Sequence, residues 1–125
     1  MDCRYIERKQ IGPVLLIRPI ESEYLDRQNI TLMIDEFSTL ASGNKPEQVV
    51  FTLKRVSKYS SEAIGGLVRV NNLIKDYGGV MKLCMADDLR ELFRATGLEG
   101  KVFDIYKTES NAIASFFEHG GDIFD

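Results

Sequence analysis

The first half of the chain shows two kinds of hydrophobic spacing. Apolar runs of strand length fall at Val14–Arg18 and Val49–Leu53, and Arg4–Lys9 precedes the first of them across a glycine turn. Between the two apolar runs, Asp26 is placed to cap a helix. The apolar residues of that helix recur every three or four positions: Ile30, Met33, Ile34, Phe37 and Leu40. The pattern predicts a β-hairpin, a helix and a further strand.

The second half continues the alternation. A helix with apolar residues from Ala63 to Tyr77 precedes a strand at Val80–Cys84. Asp87 is placed to cap a third helix, and Val102–Tyr106 reads as the last strand. A final helix is predicted to follow Thr108 and to bury Ile113, Phe116 and Phe117. The order β-β-α-β-α-β-α-β-α predicts an α/β fold, with a mixed, mostly parallel sheet of about five strands and about four helices.

Composition narrows the functional classes. The 125 residues carry a net charge of −3, and basic residues are not clustered, so nucleic-acid binding is disfavoured. No apolar run approaches the ~18–20 residues that a membrane-spanning helix needs. The N-terminus lacks the apolar stretch of a signal peptide, and the two cysteines, Cys3 and Cys84, do not form a metal motif. We therefore expect a cytoplasmic protein without membrane insertion.

Enzyme chemistry finds little support in the sequence. The only histidine, His119, is expected in a glycine-rich C-terminal turn, and no nucleophile-elbow pattern surrounds Ser60 or Ser61. The acidic pair Asp87-Asp88 is explained by a helix start, and no histidine lies near it in sequence to complete a metal site. No phosphate-cradling glycine motif is present. We expect no enzyme activity, no metal and no cofactor.

The stretch Tyr59-Ser60-Ser61 is the most informative feature, because it lies between a predicted strand and a predicted helix. A serine at a helix start can cap the helix, or it can carry a phosphate that changes what the surface binds. Gly65 and Gly66 follow in the first turns, where glycine is unfavourable. Gly65 shares the outward face of the helix with Arg69, Asn72 and Asp76. Three explanations for the glycines are open: close approach of another backbone, a late helix start, or packing of Gly66 against the sheet.

Two segments carry a resemblance to a known family: YSSEAIGGLVRVNNLI and GGVMKLCMADDLRELFRATGLEGKVFDIY. They resemble the STAS domain, which is found in sulfate transporters and in antagonists of anti-sigma factors. The resemblance covers roughly Val14 to Phe117, nearly the whole chain. It implies a single STAS-like domain over residues 1–125, with its core at about 14–117, and the same order of elements as the hydrophobic pattern.

In antagonist members of this family, the serine at this helix start is phosphorylated by a partner kinase that is also an anti-sigma factor. The resemblance places that serine at Ser61, with Ser60 as a less favoured candidate. Two residues depart from the family pattern: Ser60 replaces an acidic residue, and Glu62 replaces a small one. The partner-binding face implied by the resemblance comprises Tyr59, Ser60, Ser61, Glu62, Gly65, Arg69 and Asn72.

STAS domains have several known functions, so functions other than anti-sigma-factor antagonism stay open. The domain could be a constitutive scaffold of a stress-signalling assembly, the soluble accessory subunit of a lipid or anion transport system, or a sensor of a small molecule or nucleotide. A homodimer is also open. Within the sequence, Ser60-Ser61 favours a phosphorylation switch, whereas Glu62 favours a constitutive binder.

Overall fold

The computed structural model describes residues 3–123, and the side chains of residues 3–117. Seven strands and four helices follow one another along this part of the chain. Their bounds are β1 Ile6–Ile11, β2 Val14–Pro19, β3 Glu23–Tyr24, α1 Arg27–Asn44, β4 Gln48–Thr52, β5 Lys58–Tyr59, α2 Ser61–Asp76, β6 Val80–Cys84, α3 Asp87–Ala95, β7 Ile105–Tyr106 and α4 Glu109–Ile123.

The main sheet has five strands in the order β1-β2-β4-β6-β7. The hairpin β1–β2 is antiparallel, and its turn uses Gly12 at a φ of 57°, in the left-handed region that glycine adopts without strain. The other neighbours pair in parallel, each after a helical crossover. The predicted fold class, a mixed and mostly parallel sheet with four helices, is confirmed.

Side chains that alternate along the strands supply two cores, one on each face of the sheet. On one face, Phe51 of β4 stacks on Phe37 of α1 with ring centroids 5.0 Å apart, and α2 and α3 contribute to the same core. On the other face, α4 covers a smaller core that contains Val50 and Ala112. Because both faces are covered, β4 is apolar almost throughout, as the interior strand of a parallel sheet must be.

One charged residue lies inside the smaller core. Lys82 of β6 is only 7% exposed, and its Nζ lies 2.8 Å from Ser115 Oγ and 4.3 Å from the ring centroid of Phe116. The aromatic ring and the hydroxyl stabilise the ammonium group, since a cation over an aromatic face is attracted by the ring's quadrupole. Ile113 and Phe116 are only partly buried and Phe117 is 51% exposed, so the prediction that α4 buries all three was wrong.

A carboxylate of α1 holds the start of β1. The Glu36 carboxylate of α1 accepts hydrogen bonds from the backbone N–H groups of Arg4, Tyr5 and Ile6, at 2.9, 2.7 and 3.0 Å. Arg4 and Tyr5 precede the ladder that joins β1 to β2, and Ile6 is its first residue, so the carboxylate satisfies N–H groups at the end of the strand. A single side chain therefore holds the entry of the chain into the sheet.

The helix ends agree with the sequence only in part. Asp26 and Thr108 cap α1 and α4, as predicted, by accepting hydrogen bonds from Gln28 N at 2.9 Å and Asn111 N at 3.0 Å. Ala86, not Asp87, occupies the cap of α3, and Asp87 is its first residue, where its charge still favours the helix dipole.

The last strand is shorter than the predicted range 102–106. Only Ile105–Tyr106 pairs with β6, because Phe103 is engaged in an isolated bridge with Glu99 beside Gly100, whose φ is 81°. The C-terminal turn predicted around His119 is also wrong, since α4 runs to Ile123; the His119 side chain lies outside the described part.

The pair β3–β5 was not predicted. These strands of two residues each form a separate parallel sheet, in which Glu23 faces Lys58 and Tyr24 faces Tyr59. Two residues are too short to show a period of two in the sequence. The pair joins the segment before α1 to the segment before α2.

Candidate functional site

The two serines at the start of α2 have different surroundings. Ser60 has extended backbone angles, and its Oγ accepts a hydrogen bond from Ala63 N at 3.2 Å, so Ser60 is the N-cap. Ser61 is the first residue of α2, and it is exposed. Of the two serines, Ser60 caps the helix, and Ser61 faces solvent.

A second segment holds this turn in place. Ser60 N donates to Tyr24 O at 3.1 Å, and Ser57 N donates to Ser22 O at 2.8 Å, on either side of the β3–β5 pair. The ring of Tyr24 meets that of Tyr59 edge-on at 5.8 Å. The backbone that leads into α2 is thus tied to the backbone that leads into α1, and the two helices begin side by side.

Ion pairs cross between the two segments. Arg27 Nε lies 3.1 Å from Glu62 Oε1, with 82% and 50% of the two side chains exposed. Lys58 Nζ lies 3.8 Å from Glu23 Oε2, and this pair is exposed as well. Exposed pairs of this kind contribute about 0–1 kcal/mol each. They leave the surface around Ser61 close to electrical balance, and Glu62 has a cationic partner that the sequence did not reveal.

The outward face of α2 matches the helical-wheel prediction. Glu62, Arg69 and Asn72 are exposed and Gly65 is partly exposed. A Cβ built on Gly65 would meet only Arg69 Nη1, at 3.9 Å, so the backbone here is bare and open. This geometry is compatible with close approach of another protein.

Gly66 has the opposite environment. A Cβ built on it would lie 2.8 Å from Ile34 Cγ1 and 3.0 Å from Ile34 Cδ1, both on α1. The sequence left open that Gly66 packs against the sheet, but its close contact is with a helix, α1. The two adjacent glycines therefore have separate explanations.

Tyr59 is not part of the exposed face. The residue is 3% exposed, its ring also stacks on Phe93 at 6.5 Å, and its hydroxyl is buried without a hydrogen-bond partner among the described residues. Burial raises the pKa of the Tyr59 hydroxyl, because the charged form would lose its solvation. The hydroxyl therefore does not reach the surface, and the role of Tyr59 that is visible in the structure is packing beneath the serine turn.

Sequence reasoning missed the contribution of the segment before α1. Ile20 is 47% exposed and Leu25 is 55% exposed, and between them β3 pairs with the strand that leads to Ser60. Hydrophobic periodicity gave no signal, because this segment belongs to neither neighbouring element. The segment that leads into α1 thus adds Arg27 to the surface beside Ser61, in addition to the predicted residues of α2.

An ion pair lies at the carboxyl end of the main sheet, the edge where ligands often bind in α/β folds. Arg18 Nη2 lies 2.7 Å from Glu109 Oε1, and the cavity beside them has a volume of about 10 Å³. The hydrogen bond from Arg18 lowers the pKa of the Glu109 carboxyl, and the same contact raises the pKa of Arg18. This cavity is too small for a nucleotide or metabolite, so the sensor alternative gains no support at this position.

Among residues 3–123, no group of three or more His, Cys, Asp or Glu side chains is arranged to hold a metal ion. None of the helices in that range is both long and apolar enough to cross a membrane.

Comparisons with known proteins place the chain in a family. A family model described as the STAS domain matches residues 5–112. No curated protein sequence matches the chain. Among solved structures, the chain is similar to a candidate anti-sigma factor antagonist from Thermotoga maritima at 21% identity, with 88% of this chain and 92% of that chain covered and a TM-score of 0.74.

Two further structures show the same fold. An anti-sigma factor antagonist from Mycobacterium paratuberculosis is 17% identical, over 88% of this chain and 91% of that one, with a TM-score of 0.76. The phosphorylated form of the Bacillus cell-fate determinant SpoIIAA is 19% identical, over 89% of this chain and 98% of that one, with a TM-score of 0.66. At these identities the likeness establishes the fold.

Proposed function

Because the chain belongs to the STAS domain family, we propose that it is a regulator of the anti-sigma-factor-antagonist type, controlled by phosphorylation of Ser61. The proposed partner is a serine kinase that is also an anti-sigma factor. One observation carries the proposal: Ser60 is occupied as the helix cap, whereas the next serine is exposed at the helix start. A hydroxyl in that position can accept a phosphate without disturbing the cap. In this proposal the protein acts in the cytoplasm by binding its partner, and it does not catalyse a reaction.

The proposed binding face surrounds this serine. Gly65 supplies a bare backbone on which another chain can lie closely, and Arg69 and Asn72 continue the face along α2. Ser60 contributes its backbone and Glu62 its charge. Tyr59 would act indirectly, since its buried ring supports the turn from below.

A phosphate would change this face by charge alone. It adds roughly −1.5 to −2 charges at neutral pH. An unpaired charge left in a protein–protein interface costs about 2–5 kcal/mol. At about 1.4 kcal/mol per tenfold change in affinity, binding would weaken some 30- to 4,000-fold. The sheet and the helices need not move.

A binding titration tests the proposal. The unmodified chain, Ser61→Ala and Ser61→Asp would each be titrated with the anti-sigma-factor-type serine kinase of the same organism. We expect the alanine variant to bind like the parent and the aspartate variant to lose at least tenfold in affinity. Ser110→Asp is the matched control, because Ser110 is exposed on α4, on the other face of the sheet. Equal affinities for Ser61→Asp and Ser110→Asp would contradict the proposal.

One observation favours a second function, that of a constitutive scaffold. Glu62, paired with Arg27, already places a permanent charge beside the serine, without any modification. A scaffold would retain its affinity in Ser61→Asp and would self-associate or co-assemble with related domains. Light scattering of the purified chain, alone and with its partner, distinguishes the two functions.

A further inference from the structure

The ion pair between the starts of α1 and α2 suggests how a phosphate on Ser61 would be received. We propose that Arg27 is the cationic partner of that phosphate, and that modification transfers Arg27 from Glu62 to the phosphate. The inference rests on the proposed function in one respect only, namely that Ser61 carries the phosphate. It concerns a residue of α1, outside the predicted binding face.

The register of the small sheet places Arg27 beside the serine. Tyr24 pairs with Tyr59, and Arg27 and Glu62 each lie three residues beyond their member of that pair. The two side chains accordingly meet, with Arg27 Nε 3.1 Å from Glu62 Oε1. Ser61 is the neighbour of Glu62 in the chain, so a phosphate on it would enter the surroundings of the same guanidinium group.

The ion pair between Arg27 and Glu62 is weak, so Arg27 can readily change partner. Arg27 has 82% of its side chain exposed and Glu62 has 50%, so neither is fixed by packing and the pair is worth little. A phosphate has about twice the charge of a carboxylate, and its oxygens match the planar fork of a guanidinium group. Arg27 should therefore prefer the phosphate, which leaves the Glu62 carboxylate without its cation.

The other basic residues of this region are less suited to bind a phosphate on Ser61. Lys58 is paired with Glu23 at 3.8 Å, and an ammonium group cannot make the two parallel hydrogen bonds of arginine. Lys54 and Arg55 line a different cleft, together with Ala86 and Leu89 at the start of α3. Arg69 Nη1 lies 3.9 Å from the position of a Cβ on Gly65, one turn further along α2, whereas Arg27 already contacts Glu62, the residue next to this serine.

This exchange gives Glu62 a role in the switch. In the unmodified protein its charge is balanced by Arg27, so a partner meets a nearly neutral surface. After modification, the partner would meet a phosphate together with a Glu62 carboxylate that has lost its cation. The residue that departs from the family pattern would then add to the repulsion that releases the partner.

The test uses the full chain with a phosphate installed on Ser61 during synthesis, so that no kinase or partner is needed. The second ionisation of the phosphate is followed by ³¹P NMR as a function of pH in the parent, in Arg27→Gln and in Arg8→Gln, an exposed arginine of β1 that serves as the control. An adjacent cation stabilises the dianion. We therefore expect the pKa of the phosphate to be about 0.5 unit lower, about threefold in acidity, in the parent and in Arg8→Gln than in Arg27→Gln.

The difference should shrink at 1 M salt, where exposed charges are screened over about 3 Å. Circular dichroism of each variant confirms that the comparison is made between folded proteins. Equal pKa values in the parent and in Arg27→Gln would overturn the proposed role of Arg27. That result would leave the phosphorylation switch itself untouched, whereas failure of the binding titration would leave the NMR result unaffected.

Discussion

Replacing each of the two adjacent glycines of α2 with alanine separates a packing role from a surface role. Both residues have helical backbone angles, and in a helix interior alanine is favoured over glycine by about 0.5–1 kcal/mol. At Gly65 the new methyl group meets nothing closer than 3.9 Å. Gly65→Ala should therefore raise the free energy of unfolding by about that amount.

At Gly66 the same methyl group would lie 2.8 Å from Ile34 Cγ1. Ile34 is buried and β-branched, so in a helix it has essentially one χ1 rotamer and cannot swing aside. Overpacking of this kind costs about 1–3 kcal/mol. Because the gain in helix propensity is common to both variants, Gly66→Ala should be less stable than Gly65→Ala by about 1–3 kcal/mol.

The assay is urea unfolding of both variants, followed by circular dichroism, with equal m-values as the condition for comparing them. Ile34→Ala, alone and combined with Gly66→Ala, completes a double-mutant cycle. Removing the isoleucine side chain should abolish the penalty of the added methyl group. If Gly66→Ala proved as stable as Gly65→Ala, or if the cycle showed no coupling, the close packing of α2 on α1 described here would be refuted.

Three further predictions concern other parts of the molecule. Lys82→Met should be neutral or stabilising in urea unfolding, because a buried charge is replaced by an apolar side chain of similar shape, and a loss above about 1 kcal/mol would contradict this. Glu36→Ala should cost about 1–3 kcal/mol and speed amide exchange at Ile6, whose N–H it leaves unpaired; unchanged exchange would show that the contact is dispensable. Because the pKa of Glu109 is lowered from its ordinary value of 4.5, the ionised carboxylate stabilises the folded protein at pH values above 4.5. This stabilisation is lost as the pH falls through the lowered pKa. The thermal midpoint of Glu109→Gln should hence fall less between pH 6 and pH 3 than that of the parent, and parallel curves would count against the Arg18 pair.

The long elements could be predicted because each shows its period over several residues. The apolar positions of α1, from Ile30 to Leu40, are all buried, as their spacing required. The apolar run of β4 predicted a strand, and the structure shows that both of its faces are covered. Lys82 was harder to place, since a lysine in a short strand gives no sign that an aromatic ring and a hydroxyl from α4 will cover it.

The electrostatics of the candidate site could not be predicted from the sequence. The strand, the two serines and the glycines pointed to the start of α2. No local pattern could show that Arg27, 35 residues before Glu62, is its ion-pair partner, because this contact depends on the pairing of β3 with β5. For the same reason the different roles of Ser60 and Ser61 required the backbone geometry of the helix start.

The central claim is that Ser61 is the residue through which the protein is regulated. Phosphosite mapping by mass spectrometry tests it most directly, on protein isolated from its own cells during growth and under stress. The account predicts a phosphate on Ser61 whose occupancy changes with conditions, while Ser60, whose hydroxyl caps α2, stays unmodified. A phosphate on Ser60 alone, or none on either serine under any condition, would contradict it.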